Sequence, residues 1–498
     1  MGWTKRLVIA IFFVCPMLTA DGVEIFVPDD YASIQSAINA AAAGDTVIVR
    51  PGIWRENIDF LGKAITVTSD RGSDVTVING LQSGSVVTFQ NGENTDSILE
   101  GFMIFNGDAD LGGGVLCQQA SPTILNNHFT GNHAINGAAI GCFDSFSVIS
   151  DNTIESNQAN RGAGIYCQKG AVLISNNLIT SNTAEHSGGA ISCHEAADAT
   201  VTGNRIAANN AYRGAGIDSF RSSPIVAGNM IFRNTASHRG GGMCCRESTA
   251  PALVNNTLFA NTALEGGGLC VNNKCSVSVI NTIFWNNTAT EGVQIHIGND
   301  YLPYQNSLTI KHSLVEDRQN GIFIGHGCTV YAGPGMIDSD PHFVEPVIDD
   351  LHLAYTSPCK DSGDKDAVGL PQEDFEGDPR IADGEVDIGA DEFHRHLYYT
   401  GPVVPGDQVM IKLIGLPGSG AILAEGSGLL NPPKPTSYGT LYIRMPAVRY
   451  LLKDIPSHGI CAVHADVPTT WTTGERYPFQ ALIGGELMLT NLMIVTVD

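Results

Sequence analysis

Four dipeptides recur at 26-residue intervals and bring chemistry-bearing side chains to one repeated place: Asn160-Arg161, His186-Ser187, Tyr212-Arg213 and His238-Arg239. His194, Asp218 and Arg246 stand shortly after members of this series. The chain has 27 Lys and Arg against 51 Asp and Glu, so the run is a local basic and aromatic strip on an acidic background. Guanidinium forks grip carboxylates through two parallel hydrogen bonds, and aromatic faces offer flat stacking surfaces. Such a strip suits an extended acidic sugar chain, with Arg213, Asp218, His194, Arg239 and Arg246 as the candidate substrate-binding residues. A catalytic version would abstract the proton alpha to a uronate carboxylate, which needs a base and a cation to hold that carboxylate. Arg213 or His194 could then be the base and Arg239 or Arg246 the clamp; no catalytic residue is assigned. A solvated face whose Arg and His recur because repeats duplicate stands beside this reading.

The strip is positioned by a repeat. Glycine-led triplets begin at Gly112, Gly137, Gly162, Gly188, Gly214, Gly240 and Gly266, 25 or 26 residues apart, with Gly292 opening a degraded eighth copy. An apolar column follows them (Val115, Ile140, Ile165, Ile191, Ile217, Met243, Leu269, Ile295), and two residues on comes Cys117, Cys142, Cys167, Cys193, Ser219, Cys245 and Val271. Strand alternation turns both columns inward. It turns outward the column between them (Leu116, Gly141, Tyr166, Ser192, Asp218, Cys244, Cys270) and the one after them (Gln118, Phe143, Gln168, His194, Phe220, Arg246, Asn272). Each unit ends in an Asn-x-apolar-x-x-Asn pattern, from Asn127-Phe129-Asn132 to Asn281-Ile283-Asn286. Apolar runs of three to five residues, broken by Gly or Asn, are too short for helices. Three short strands and three bends per 25 residues make an all-β, right-handed parallel β-helix, with stacked Asn satisfying the bends.

The apolar spacing of Ile34, Ile38 and Ala41 predicts a capping helix within Tyr31 to Ala43, covering an open end of the solenoid. Between Asn79 and Gly333 some ten coils at roughly 4.8 Å each would make a rod of roughly 50 Å. Beyond Phe393 the alternating stretches Val409 to Ile414, Thr440 to Arg444 and Leu487 to Val497 predict a small antiparallel β-domain, a sandwich. The expected divisions are residues 1–20 as a signal peptide, 21–78 as cap and first coils, 79–335 as repeats, 336–397 as closure of the β-helix and 398–498 as the appended domain.

With these columns in place the sequence resembles the right-handed parallel β-helix superfamily typified by pectate lyases. Gly188-Gly189-Ala190-Ile191 and Phe129-Thr130-Gly131-Asn132 also look like the paired repeats of chlamydial polymorphic outer-membrane proteins. The opening, Ile34-Gln35-Ser36-Ala37-Ile38 through Pro51-Gly52-Ile53-Trp54, is similar to the start of many secreted bacterial β-helix proteins. So is the end, with Asp340-Pro341-His342-Phe343 and Asp387-Ile388-Gly389-Ala390-Asp391-Glu392-Phe393. The resemblance covers about residues 25 to 393 and implies a fold, not a reaction. Hydrolase-like scraps, Asn94-Thr95-Asp96, Gly325-His326-Gly327 and Asp349-Asp350, have the wrong order and spacing for the polygalacturonase pattern and carry nothing over.

Lys5 and Arg6, the apolar run Leu7 to Val14 and Leu18-Thr19-Ala20 read as a secretory signal, so a secreted or cell-surface product is expected and the membrane enters only during export. Val14 before Cys15 argues against a lipid anchor. A net charge of −24 argues against nucleic acid as a partner. Inward Cys117, Cys142, Cys167, Cys193 and Cys245 form a reduced apolar ladder, whereas outward Cys244 and Cys270 on adjacent rungs are a candidate disulfide, with Cys275 competing. No metal spacing is present. Asp383, Glu385, Asp387, Asp391 and Glu392 are expected to be a solvated acidic turn, with calcium as the alternative and no other cofactor. The functional expectation is a β-helix protein that binds an extracellular polysaccharide or cell-surface glycan. A uronate-polysaccharide lyase and a non-catalytic structural or adhesive rod are the alternatives.

Overall fold

The computed structural model describes residues 22–300, 304–382 and 384–393, and beyond them the backbone of ten strands between Leu397 and Thr496. The expected signal peptide lies outside the described residues. From Glu24 to Ala332 the chain winds into a parallel solenoid whose walls are one thirteen-stranded and two eleven-stranded sheets. Stacking therefore begins earlier than Asn79: Glu24–Val27 already pairs in parallel with Thr46–Val49, and that strand with Thr66–Ser69.

The inward columns are as the alternation predicts. Val115, Ile140, Ile165, Ile191, Ile217, Met243, Leu269 and Ile295 are register partners in sequence, fully buried, as are Cys117, Cys142, Cys167 and Cys193. Each fully buried Ile contributes roughly 1.5–3 kcal/mol of transfer free energy, repeated rung after rung. At two corners Asn ladders run the length of the repeat. Asn127 N–H and Nδ2 both donate to Asn152 Oδ1 (2.9 and 3.2 Å), and Nδ2 also reaches the carbonyls of Leu99 and Leu125. A buried amide that would be costly alone is satisfied by its neighbours above and below.

The last copy departs from the expected register. The ladders continue through Thr282 and Asn287, to which Asn256 and Asn261 donate their N–H groups, not through Asn281 and Asn286. Phe284 likewise takes the column place of Leu258, leaving Ile283 outside the main core. The period is 26 in that coil, and counting 25 shifts every side chain to the opposite face.

The expected helix is Ile34–Ala40, capped by reciprocal Ser33–Ser36 bonds. Seven residues would not stay helical alone. Burial of Ile34, Ala37 and Ile38 on the first coils holds it, and Lys63 Nζ donates to the carbonyls of Ile38, Asn39 and Ala41.

One element was not foreseen. In the middle coils an extra strand precedes each glycine triplet, and Asp108–Leu111, His133–Asn136, Gln158–Arg161, Thr183–Ser187, Asn210–Arg213 and Thr235–Arg239 form a six-stranded parallel arm. Alanines 134, 138, 159, 163, 184, 211, 215, 236 and 263 give the arm a thin core of its own. Each triplet's first glycine folds the arm back over the following strand. At Gly162, φ is +58° and a Cβ would lie 2.6 Å from the Ile165 carbonyl, so only glycine fits the fold-back.

Residues 336–393 pack on the flank of the solenoid. Asn255 Nδ2 donates to the carbonyls of Asp387 and Gly389, and Ala390 N–H donates to Thr257 Oγ1. The acidic cluster there is corrected: Asp387, Asp391 and Glu392 are buried, not solvated. Backbone N–H groups of Asp361 and Phe393 cap Asp387, that of Leu353 caps Asp391, and fully buried Arg380 lies 3.7 Å from Glu392. Burial pushes the Glu392 carboxyl up to about 9. Glu385 is exposed, and Asp383 falls outside the described residues. Beyond Leu397 the strands pair antiparallel, for example Gln408–Ile414 with Ile460–Asp466 and Ala421–Gly426 with Arg476–Ile483. No helix among the described residues is long and apolar enough to cross a membrane.

Candidate functional site

The residue immediately before each glycine triplet continues one ladder, from the ends of the arm strands at Asn136, Arg161, Ser187, Arg213 and Arg239 through the isolated bridges of Glu265 and Glu291. Beneath it runs the column expected to face outward. That expectation is corrected: Tyr166 is 3% exposed, and Ser192, Asp218, Cys244 and Cys270 are fully buried, each against the first glycine of the fold-back before it. Cys244 and Cys270 are register neighbours with free thiols inside this layer, not on the surface. In the inner column, burial pushes the Cys193 thiol up to about 12.

An aromatic run follows the coil axis, with Tyr166 buried and Phe143, His194 and Phe220 half-buried. Phe143 meets Tyr166 (5.5 Å), Tyr166 meets His194 (5.8 Å), and His194 stacks on Phe220 at 4.5 Å. Arg246 lies 4.3 Å over the Phe220 ring and closes the run. Both Asp218 oxygens accept from Arg246, Nε and Nη2 each at 3.0 Å. Asp218 is thus a buried counter-charge beneath Arg246, unavailable to a ligand. Arg239 is also engaged: Nε donates to Glu265 at 2.6 Å, and both Nη atoms donate to Asp300 at 2.8 and 2.6 Å.

The expected clamp residues are therefore tied to carboxylates, whereas Arg161 and Arg213 have no ion pair among the described residues. Arg213 rests over the Tyr212 ring (5.0 Å), which in turn stacks on His238 (5.0 Å). Burial holds the imidazoles of His194 and His238 below the usual range, so both are neutral near neutral pH.

Two adjoining clefts open here, sharing Arg213 and Arg246. One, of about 270 Å³, is lined by Arg161, His186, Ser187, Tyr212, Arg213 and Arg246. The other, of about 150 Å³, is lined by those two arginines with Phe220, Arg239, Cys244, Glu247, Asn272, Asn273 and Asp300. Around them Asn136 Oδ1, Ser187 Oγ, Ser192 Oγ, His194 Nδ1, Arg213 Nε and His238 Nδ1 are buried without a hydrogen-bond partner. Buried polar atoms are nearly always satisfied, so such a concentration marks a place that water or a ligand completes.

Of the five candidates, Arg213, Arg239 and Arg246 converge on the clefts. Asp218 lies underneath, and His194 belongs to the aromatic floor. Glu265, Glu291, His296 and Asp300 were not anticipated. The first two had a readable signal, since each precedes a glycine triplet as Arg213 and Arg239 do; Asp300 arrives from a later coil and had none.

A family model described as right handed beta helix region matches three overlapping stretches, residues 62–206, 113–261 and 189–333, together more than half of the 498 residues. No curated protein matches the chain. Among solved structures, the enzymatically active domain of tailspike protein 4 from bacteriophage CBA120 is similar, at 12% identity and a TM-score of 0.27. That alignment covers 93% of this chain and 65% of the tailspike chain, just under two thirds of its length.

Proposed function

The chain belongs to the right-handed β-helix family, and from that premise we propose that it binds an extended acidic polysaccharide along the groove between arm and solenoid. One observation carries the reading: the larger cleft is lined by three arginines, a histidine, a tyrosine and a serine, with no carboxylate, in a chain of net charge −24. Arg161 and Arg213 stand two rungs apart, about 10 Å at the usual strand spacing, a separation that an extended acidic chain can span with its carboxylates. The unpartnered Ser187, Arg213 and His238 atoms are complemented by a ligand rich in hydroxyl and carboxylate oxygens. Export directed by the first twenty residues belongs to this reading, and N-terminal sequencing of the product should then begin at Asp21.

The test is calorimetric titration with polygalacturonate, alginate and a glycosaminoglycan, beside a neutral glucan. Binding to an acidic polymer that weakens with salt, and that Arg213→Ala weakens about tenfold, is the expected result. Equal affinity for the neutral glucan overturns the acidic substrate class; no binding to any polymer favours the structural rod. Lyase chemistry would need an unprotonated base, and burial lowers the imidazoles of His194 and His238. New near-ultraviolet absorbance from an unsaturated product during the titrations would establish it.

A further inference from the structure

The ladder that is cationic at Arg161 and Arg213 turns acidic at Glu265 and Glu291, and there the layer beneath it turns to sulfur and imidazole. Donor atoms of Glu265, Cys270 and His296 all lie within 4.8 Å of one another. Cys270 Sγ is 3.8 Å from His296 Nδ1, and His296 Nε2 is 3.9 Å from Glu265 and 3.8 Å from Glu291. Cys244 lies one rung from Cys270 in register, likewise buried with a free thiol.

Neighbouring ligands around a tetrahedral zinc, at bonds of about 2.0–2.3 Å, stand roughly 3.3–3.8 Å apart. The thiol–imidazole distance already has that value, and a carboxylate oxygen of Glu265 lies within 4.8 Å of a donor atom on each of the other two. The imidazole is held in place: it stacks on Phe323 at 4.8 Å and 6°, and a Cβ on Gly298 would lie 2.5 Å from its Cε1. Nδ1 faces the sulfur while Glu291 and Glu265 stand on the Nε2 side, 3.8 and 3.9 Å away, where a carboxylate not spent on the ion can orient the ring, as in sites where a carboxylate orients a metal-bound histidine. Asp300 accepts from both Nη atoms of the nearby Arg239, so that guanidinium keeps a counter-charge when Glu265 turns to the ion. The way in is open on the acidic side, where Glu265 and Glu291 are 24% and 53% exposed.

We propose that Cys270, His296 and Glu265, with Cys244 as the fourth donor, bind a zinc-class divalent ion. Two thiolates, an imidazole and one carboxylate are a borderline-soft set that selects zinc or cobalt over the all-oxygen preferences of calcium and magnesium. Binding releases the two thiol protons to solvent as the metal–sulfur bonds form.

Cobalt(II) titrated into the reduced full-length chain reads the site directly. The expected result is a thiolate-to-cobalt charge-transfer band that saturates at one ion per chain, is displaced by zinc and ignores calcium. Cys270→Ser and His296→Ala should each weaken cobalt binding at least tenfold, and Cys244→Ser should roughly halve the band. Cys193→Ser should leave it intact, because Ser219 already occupies that inner column. Thermal melts of each variant separate a lost site from a lost fold. Absence of the band in reduced wild-type chain overturns the proposal, as does a band that survives in both Cys270→Ser and His296→Ala. An unchanged band in Cys244→Ser removes Cys244 from the donor set.

Discussion

The coils around Arg161 and Arg213 and the coils around Glu265 and Glu291 share one backbone, one register and one glycine fold-back, yet they present opposite chemistry. In the first, the guanidiniums of Arg161 and Arg213, with no ion pair among the described residues, face a cleft without carboxylates. In the second, carboxylates overlie two thiols and an imidazole. Arg239 is the seam, drawn out of the cationic half by Glu265 and Asp300. Because the scaffold supplies the geometry, one residue per coil selects the chemistry, and a ladder can change ligand class within two rungs.

The most severe way to break the comparison is to remove the shared fold-back. Gly240 has φ +63°, and a Cβ there would lie 2.3 Å from the Met243 carbonyl. Gly240→Val should cost about 4 kcal/mol and lower the melting temperature, with polysaccharide and cobalt binding lost together. Asp218→Ala should cost about 3 kcal/mol, because Arg246 is left half-buried without its counter-charge; denaturant unfolding reads this, and polysaccharide binding should fall while cobalt binding persists. Glu265→Arg extends the cationic half by one rung. Polysaccharide affinity should rise a few-fold and cobalt affinity fall; no change in either would mean that the ladder residue does not select chemistry.

The smallest effect separates the flank from the groove by pH. His352 lies between Asp350 and Glu376, and its imidazole is raised despite burial, while burial raises Glu392 to about 9. Groups whose folded pKa exceeds the unfolded value stabilise below that unfolded value and lose the contribution as pH rises. The flank should therefore loosen upward from about pH 4.5 through Glu392, and from about 6.5 through His352. His194 has the opposite sign: its lowered pKa costs stability as pH falls below about 6.5. Limited proteolysis between residues 336 and 393 across pH 5 to 9 should show cutting that increases with pH and that His352→Gln flattens.

Much of the inside was legible, because a stacked coil repeats its period wherever side chains meet their own kind. Ile140, Cys142 and Asn152 each find an equivalent one coil on. The slip at Asn281 and Asn286 arose because adjacent asparagines, Asn286 and Asn287, let a 25-residue count pass where the coil has 26. The outward column was misread for another reason. Strand alternation says which way Asp218 or Cys270 points, but it is silent on what lies above, and the fold-backs that bury them are runs of polar and small residues.

The sequence by itself determined the solenoid, its inner ladders, its capping helix and the line along which the arginines gather, since each follows from short-range alternation multiplied by a period. Only the tertiary structure decided which of those arginines are free. Ion pairing depends on Glu265, Asp300 and Asp218 arriving from other coils at 2.6 to 3.0 Å, and residues 61 positions apart in the chain, Arg239 and Asp300, leave no periodic trace of their meeting.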